Sequence, residues 1–329
     1  MREWLLRRWY AADRPAPAGL TGAAAIYGRV SAWRRRRQSQ RAARNALPIP
    51  VIVVGNISVG GTGKTPFVIW LVEQLQQWGY RPGVISRGYG GRAPEYPMRV
   101  HASSSPEHAG DEPALMAQRL SCPIAVAPDR MAAARMLIDD GEIDLLIADD
   151  GLQHYKLPRD LEICVVDGRR GLGNGALLPA GPLREPPARL REVDLVIVSG
   201  EGWHPPQGHC LRMRLEPGEL RPVAGIGRAQ LSDFAGRRVH AVAGIGDPER
   251  FFASLREARI EVIAHPFADH YHYTALDLAF GDDLPVLMTE KDAVKCVALA
   301  QPDWWVVPVT ARLPVAAGER VRELISSLD

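Results

Sequence analysis

The chain has 329 residues, 46% apolar and 24% charged, enough for two domains or for one large domain with a smaller companion. That balance excludes disorder, collagen and coiled coil, and no run reaches the roughly 18 apolar residues of a membrane-crossing helix. The net charge of +2 is a sum of unlike parts: residues 1–45 carry eleven Arg against Glu3 and Asp13, a local +9, which leaves −7 on the remainder. Of the 40 basic side chains only four are Lys (Lys64, Lys156, Lys291, Lys295), so a Lys inside a motif is not generic surface charge. The four cysteines show no CxxC spacing and no grouping with His, as expected of reduced thiols and a cytoplasmic catalytic portion.

Residues 1–45 join Trp4, Leu5, Leu6, Trp9 and Tyr10 to Arg7 and Arg8. A Pro-rich break at 13–17 follows, then a helical stretch that gathers Leu20, Ala23, Ala24, Tyr27 and Val30 on one side. The Arg34–Arg37 run comes next. Aromatic and aliphatic groups beside clustered Arg suit a helix lying on an anionic membrane surface. A cleaved signal peptide fits less well, because the apolar middle is poor in Leu and a four-Arg block would oppose export. A basic helix packed on the protein's own core, or touching nucleic acid, is the plainer alternative. The membrane surface is the expected partner, with no nucleic acid.

Pro48–Gly55 reads as a buried parallel strand. It runs into Ser58, Val59, Gly60, Gly61, Thr62, Gly63, Lys64 and Thr65, and then into the apolar-periodic Phe67–Trp78. Strand, Gly-rich turn and helix in that order predict a phosphate loop. Its backbone N–H groups and helix start cradle an anion, Lys64 reaches the terminal phosphates, and the Thr65 hydroxyl is a candidate Mg²⁺ ligand. Ser58 stands where the usual pattern asks for Gly. Asp144–Ala148 predicts a second strand ending in Asp149-Asp150-Gly151, a carboxylate pair placed for Mg²⁺. Further strands are expected at Arg81–Ser86, Ile124–Ala127, Glu162–Asp167 and Asp194–Ser199. The fold class is therefore α/β, a parallel-sheet core of the P-loop nucleoside triphosphate hydrolase type, with its site at the carboxyl ends of the strands.

Several loops then fall at those strand ends: Ser86-Arg87-Gly88-Tyr89-Gly90, Gly110-Asp111-Glu112-Pro113, Asp129-Arg130, Leu152-Gln153-His154 and Gly181-Pro182-Leu183-Arg184-Glu185. All of these but Asp129-Arg130, together with the phosphate-loop run 54–66, Asp149-Asp150-Gly151, Asp269-His270-Tyr271 and Thr289-Glu290-Lys291-Asp292, run in the order of one family over roughly residues 50–295. In this the chain resembles the tetraacyldisaccharide 4′-kinases of lipid A biosynthesis. That family places Ser or Thr at the position of Ser58, while Leu152 departs from the expected Phe. The resemblance implies transfer of the ATP γ-phosphate to the 4′-hydroxyl of an acylated glucosamine disaccharide 1-phosphate, at the cytoplasmic face of the inner membrane. It implies Asp111 as the base, supported by His270, with Lys64 and Thr65 on the phosphates and metal and Asp149 and Asp150 on Mg²⁺. Arg87, Arg130, His154, Arg184 and Glu185 are expected as supporting groups.

From about residue 222 a second, smaller α/β lobe is predicted, which divides the chain into a basic arm (1–45), a kinase core (46–221) and a closing lobe (222–329). Its strands are expected at Val239–Ala243, Glu261–Ala264, Val286–Met288 and Trp305–Val309, with a helix over Glu249–Ala258. Gly244-Ile245-Gly246 lacks the third glycine of a dinucleotide fingerprint, and Pro248 interrupts it. His265, His270 and His272 imitate a metal cluster but have no Cys or paired carboxylate beside them. Trp304-Trp305 reads as core packing. A guanine-reading GTPase is disfavoured because Thr289-Glu290-Lys291-Asp292 has Glu before its Lys, and a soluble small-molecule kinase because of the amino-terminal arm. The sequence leaves the oligomeric state open.

Overall fold

The computed structural model describes residues 5, 8–10, 16–42, 46–205 and 210–328. Trp4, Leu6, Arg7 and residues 13–15 of the Pro-rich break lie outside them. Eight strands come first: β1 (Val51–Gly55), β2 (Pro82–Ser86), β3 (Met98–Val100), β4 (Ile124–Val126), β5 (Leu145–Asp149), β6 (Leu161–Asp167), β7 (Leu195–Ser199) and β8 (Cys210–Pro217). Next come β9 (Arg221–Pro222), β10 (Arg238–Ala243), β11 (Glu261–Pro266), β12 (Val286–Thr289) and β13 (Trp304–Val307), which pair in the order β11-β10-β12-β13-β9 as a second sheet. The chain then returns to the first sheet with β14 (Val309–Arg312). Among the described residues the large sheet has nine strands, ordered β14-β8-β7-β6-β1-β5-β2-β4-β3. Only its edge strands β14 and β3 run antiparallel to their neighbours.

β1 sits near the middle, parallel to β5 on one side and β6 on the other. Its side chains alternate: Val51 and Val53 enter one buried cluster, Ile52 and Val54 the other. Burial on both faces explains why it reads as an unbroken apolar run rather than an alternating one. The Lys64–Gln77 helix turns Phe67, Val68, Leu71, Val72 and Leu75 inward at three- and four-residue spacing. Each such side chain, removed from water, stabilises the fold by about 1.5–3 kcal/mol. Because β1, β2, β4 and β5 are parallel, the loops after them all emerge along one edge of the sheet.

The expected lobe over 222–329 is not one continuous piece, and this corrects the predicted division. β14 pairs with β8, and the following Val315–Ser326 helix buries Val321 and Ile325 against the cluster that holds Phe67 and Leu71. The apolar face of that last helix finds its cover on the large sheet, so residues 309–328 pack with the core. Within the small sheet, Phe251, Phe252 and Leu255 of the Pro248–Glu257 helix cover one face. Trp304 lies in the cluster on the other, while Trp305 packs edge-on against Phe234.

The amino-terminal arm differs from its expected orientation. The Ala18–Ala42 helix buries Ala24 and half-buries Tyr27, whose hydroxyl donates to the Arg184 carbonyl at 3.1 Å. Val30, expected beside Tyr27, faces out at 56% exposure in line with Ile26 at 65% and Trp33 at 60%. A helix with an anchored face and an apolar outward stripe is the result. Trp9 is buried, donating its indole N–H to the Pro179 carbonyl at 3.1 Å, so it does not serve a membrane surface. Among the described residues no helix is long and apolar enough to cross a membrane.

Candidate active site

The Gly-rich loop leaves β1 and is braced from three sides. Asn56 Nδ2 donates to the Gly60 carbonyl and to Thr62 Oγ1, each at 3.3 Å. The Val59 N–H donates to the Pro182 carbonyl at 2.9 Å, which ties the loop to the Leu178–Glu185 segment. Arg170 donates to the Gly61 carbonyl. Gly63 (φ 87°) precedes Lys64 at the helix start; a Cβ there would lie 2.9 Å from Ser199 Oγ and from Met213 Cε. A Cβ on Gly61 would meet nothing within 4 Å, and the loop runs into the N-terminus of the Lys64–Gln77 helix, a position suited to an anion.

β5 delivers the carboxylate pair. Asp149 is 1% exposed and its Oδ1 has no hydrogen-bond partner, while Ser86 donates to Oδ2 at 3.5 Å. Burial, with the Glu112 carboxylate nearby, pushes the Asp149 carboxyl up to about 7 against the pull of Lys64. Asp150 takes the left-handed backbone (φ 49°), which turns its side chain the other way, onto Lys64 Nζ at 3.4 Å and the Arg184 guanidinium at 3.0 and 3.2 Å. Burial would raise its carboxyl, but Lys64 and Arg184 hold it far below the usual range. The two adjacent carboxyls are thus driven in opposite directions, a pattern typical of functional sites. With its Oδ1 unpartnered at the end of β5, Asp149 fits a divalent cation bound with phosphate.

The second group of residues spans both sheets. Asp111 opens the Asp111–Arg119 helix beside the large sheet; His270 lies in the loop after β11 of the small one. His270 Nδ1 and Asp111 Oδ2 are 3.0 Å apart. His270 holds a left-handed φ of 60°, which few residues adopt, and the Tyr89 ring leans on it at 4.9 Å between centroids. Burial raises the Asp111 carboxyl, yet the His270 hydrogen bond and the ammonium groups of Lys295 and Lys291 bring it below its ordinary value. The Glu290–Cys296 helix docks against the Asp111 helix through Arg119–Glu290 at 2.8 Å, Lys291–Glu112 at 3.3 Å and Lys295–Asp111 at 3.6 Å. The Glu112 charge felt at Asp149 links this group to the carboxylate pair.

The supporting residues divide. Arg184 reaches Asp150 directly. Arg130 is buried with Nε unpartnered and lies within electrostatic reach of Asp149 and Asp150. His154 is half-buried with Nε2 unpartnered; burial and the Arg130 charge drive its ring down to about 4, so it is neutral at physiological pH. Arg87 is exposed at the rim. Glu185 does not face the loop: it is 3% exposed and accepts from Gln153, Tyr155 and Arg189. The resemblance of the three histidines to a metal cluster dissolves. His265 pairs with His240 at 2.9 Å, His270 pairs with Asp111, and no metal-binding group of three or more His, Cys, Asp or Glu is formed among the described residues. Asn56, Arg170 and Lys295 went unassigned; for Lys295 the scarcity of Lys was a usable signal.

Residues 17–326 match the family described as LpxK, tetraacyldisaccharide-1-P 4′-kinase. The chain is 53% identical over 308 residues to a tetraacyldisaccharide 4′-kinase of Alkalilimnicola ehrlichii, covering 93% of this chain and 91% of that one. It is 47% identical over 322 residues to one of Nitrosococcus oceani, covering 98% and 94%. The fold superposes on a crystal structure of LpxK from Aquifex aeolicus in complex with ATP with a TM-score of 0.76, at 29% identity, over 93% of this chain and 97% of that one.

Proposed function

The chain belongs to the tetraacyldisaccharide-1-P 4′-kinase family, and we propose that its Ser58–Thr65 loop holds ATP while Asp111, braced by His270, accepts the proton of the attacking hydroxyl. The activity is phosphorylation of the 4′-hydroxyl of tetraacyldisaccharide 1-phosphate with ATP, a step of lipid A biosynthesis. In that reaction the sugar oxygen bonds to the γ-phosphorus, the bond to the β-phosphate bridging oxygen breaks, and one proton leaves the hydroxyl. Catalysis is then mostly positioning and charge neutralisation. Lys64 and the loop N–H groups neutralise the phosphates. Arg130 and Arg184 add positive charge beside the carboxylate pair. A Mg²⁺ ion, when bound, supplies further charge neutralisation, with Thr65, Asp149 and Asp150 as its candidate ligands. The unpartnered Asp149 Oδ1 supports that assignment. A sugar hydroxyl loses its proton late in such a transfer, so a carboxylate held below its ordinary range is a sufficient acceptor.

The observation that carries the assignment is the 3.0 Å Asp111–His270 contact across the two sheets, next to Glu112, whose charge is felt at Asp149. The small lobe, taken as residues 221–307, lies over the edge where the loop emerges: Arg250 pairs with Asp167 at 3.5 Å, and a Cβ on Gly246 would lie 3.0 Å from the Gly61 nitrogen. Such cover excludes water and disfavours ATP hydrolysis. The acyl chains of the acceptor sit in a membrane, and the outward Ile26–Val30–Trp33 stripe, flanked by exposed Arg29, Arg34, Arg36 and Arg37, suits an anionic inner-membrane surface on its cytoplasmic side. Incubation with ATP, Mg²⁺ and a tetraacylated disaccharide 1-phosphate in detergent should yield the 4′-phosphorylated lipid. Acceptor-independent ATP hydrolysis without lipid phosphate would oppose this reading.

A further inference from the structure

Two of the four lysines stand one helical turn apart on the Glu290–Cys296 helix, and both ammonium groups meet the Asp111–His270 pair. Lys291 Nζ lies 3.4 Å from His270 Nε2, held there by Asp269 at 2.9 Å and Glu112 at 3.3 Å. Lys295 is 8% exposed in its side chain, with Nζ 3.6 Å from Asp111 Oδ2, 3.2 Å from Asp292 Oδ1 and 5.0 Å from the centre of the Tyr273 ring. Asp292 is fully buried and fixed by the Gly244 N–H at 2.9 Å, the Tyr273 hydroxyl at 2.8 Å and the Thr289 hydroxyl at 2.6 Å. The Lys295 ammonium therefore lies at ion-pair distance between a rigid carboxylate and the proposed base, without a hydrogen bond to either.

We propose that Lys291 and Lys295 are positioning residues that fix where the protons of the Asp111–His270 pair reside: Lys291 selects the ring tautomer, and Lys295 keeps the Asp111 carboxylate charged. This deepens the assignment of Asp111 as base and rests on it. An ammonium donates and cannot accept, so its partner atom Nε2 must present a lone pair. The ring proton then sits on Nδ1, the atom facing Asp111, and the ring donates to the carboxylate. His270 orients and does not take the substrate proton; that proton stays on Asp111. Lys295 acts at short range in a site largely closed to water, where an opposite charge within about 4–6 Å favours the ionised carboxylate by roughly 1–3 pH units. The other charged or titratable groups around Asp111 are Glu112 on its own helix and Asp269, His270 and Tyr273 on the loop after β11. A compact ammonium with three rotatable donors suits both contacts, where the planar fork of Arg would not. The rest of the chain uses Arg for 36 of its 40 basic side chains, and these two positions do not.

Two measurements test this. In the wild-type protein, nitrogen-15 NMR of labelled histidine, with His270 identified by loss of its signal in His270→Gln, should give the Nδ1–H tautomer at neutral pH. An Nε2–H signal would overturn the role of Lys291. Single-turnover phosphate transfer across pH should show the acid limb of Lys295→Met moved up by about one pH unit, with nucleotide affinity unchanged. An acid limb that stays in place in Lys295→Met overturns the role of Lys295. If Lys295→Met fails to fold, Lys295→Gln is read by the same criterion. Asp111→Asn separates the layers: undiminished turnover there removes the base assignment itself, whereas lost turnover with an unmoved limb removes only the role of Lys295.

Discussion

Gly91→Ala adds one methyl group at the point where the loop after β2 packs against the turn that leads into Asp111. A Cβ at residue 91 would stand 2.4 Å from the His108 carbonyl oxygen, 2.6 Å from the Gly110 nitrogen and 2.8 Å from the Ala109 carbonyl carbon. All three are backbone atoms, so no side chain can swing aside. The opposite approach is as close: a Cβ on Gly110 would lie 2.7 Å from the Tyr89 carbonyl oxygen, and Gly110 also needs a left-handed φ of 88°. The loop is pinned by the Arg92 N–H to the Glu107 carbonyl at 2.7 Å. Relieving the overlap therefore pushes the Gly110–Asp111 backbone away by up to about 1 Å, a displacement that costs on the order of 100-fold in rate when it moves a reacting group. Overpacking of this kind also costs about 1–3 kcal/mol of stability. The expected result is turnover reduced about 100-fold at 25 °C with a lower Tm, while ATP affinity by fluorescent-analogue titration stays close to wild type. That separation follows because Asn56 and Pro182, not Gly91, brace the phosphate loop. Wild-type turnover in Gly91→Ala, or a parallel loss of ATP affinity, would refute the reasoning.

Three further outcomes follow from other parts of the molecule. Asp149, pushed up to about 7, must shed its proton to bind a cation, so apparent Mg²⁺ affinity in the presence of a non-hydrolysable nucleotide should fall as pH drops below 7, approaching about tenfold per unit; calorimetry in buffers of different ionisation enthalpy detects the released proton, and a flat profile contradicts it. Arg189→Met should lower unfolding stability by about 3–5 kcal/mol, because Arg189 is 1% exposed and its loss leaves the buried Glu185 carboxylate with only the neutral donors Gln153 and Tyr155, and Glu162 with Arg159 alone; a loss below about 1 kcal/mol in urea denaturation would contradict this. In the same experiment, burial raises the Glu162 carboxyl but the Arg189 and Arg159 bonds bring it below its ordinary value, so its stabilisation is present above the unfolded pKa and fades as pH falls through the folded one, a dependence that Arg189→Met should flatten. Val30→Ser with Trp33→Ser should weaken binding to anionic vesicles by at least about tenfold, given about 1.5–3 kcal/mol per buried large apolar side chain; unchanged binding would contradict the membrane role.

The sequence disclosed β1, β5 and the phosphate loop because each is local: an apolar run, a turn of glycines and a periodic helix lie within a few residues of one another. Edge elements were hidden for the opposite reason. β14 and the Val315–Ser326 helix join the large sheet through contacts with β8 and Phe67, far away in sequence, and no local pattern records that return. Ile26, Val30 and Trp33 share a stripe at four- and three-residue spacing, but so do Ala24 and Tyr27 with their neighbours, and only the position of Arg184 decides which face is anchored. Glu185 illustrates the same limit. Its neighbour Arg184 points to Asp150, and successive residues in an extended loop face opposite ways, so Glu185 meets the buried Arg189 instead. Asp111 and His270 were visible as motif residues, yet their 3.0 Å contact depends on how two sheets sit together.

The most direct measurement is single-turnover transfer of γ-phosphate to the tetraacylated acceptor by Asp111→Asn beside wild type, with ATP affinity measured on the same samples. Asparagine keeps the shape at residue 111 and removes the charge that receives the proton. The expected result is transfer slowed by about 100- to 10,000-fold with ATP affinity within about threefold. Transfer at the wild-type rate, or losses of rate and ATP affinity of equal size, would contradict Asp111 as the base.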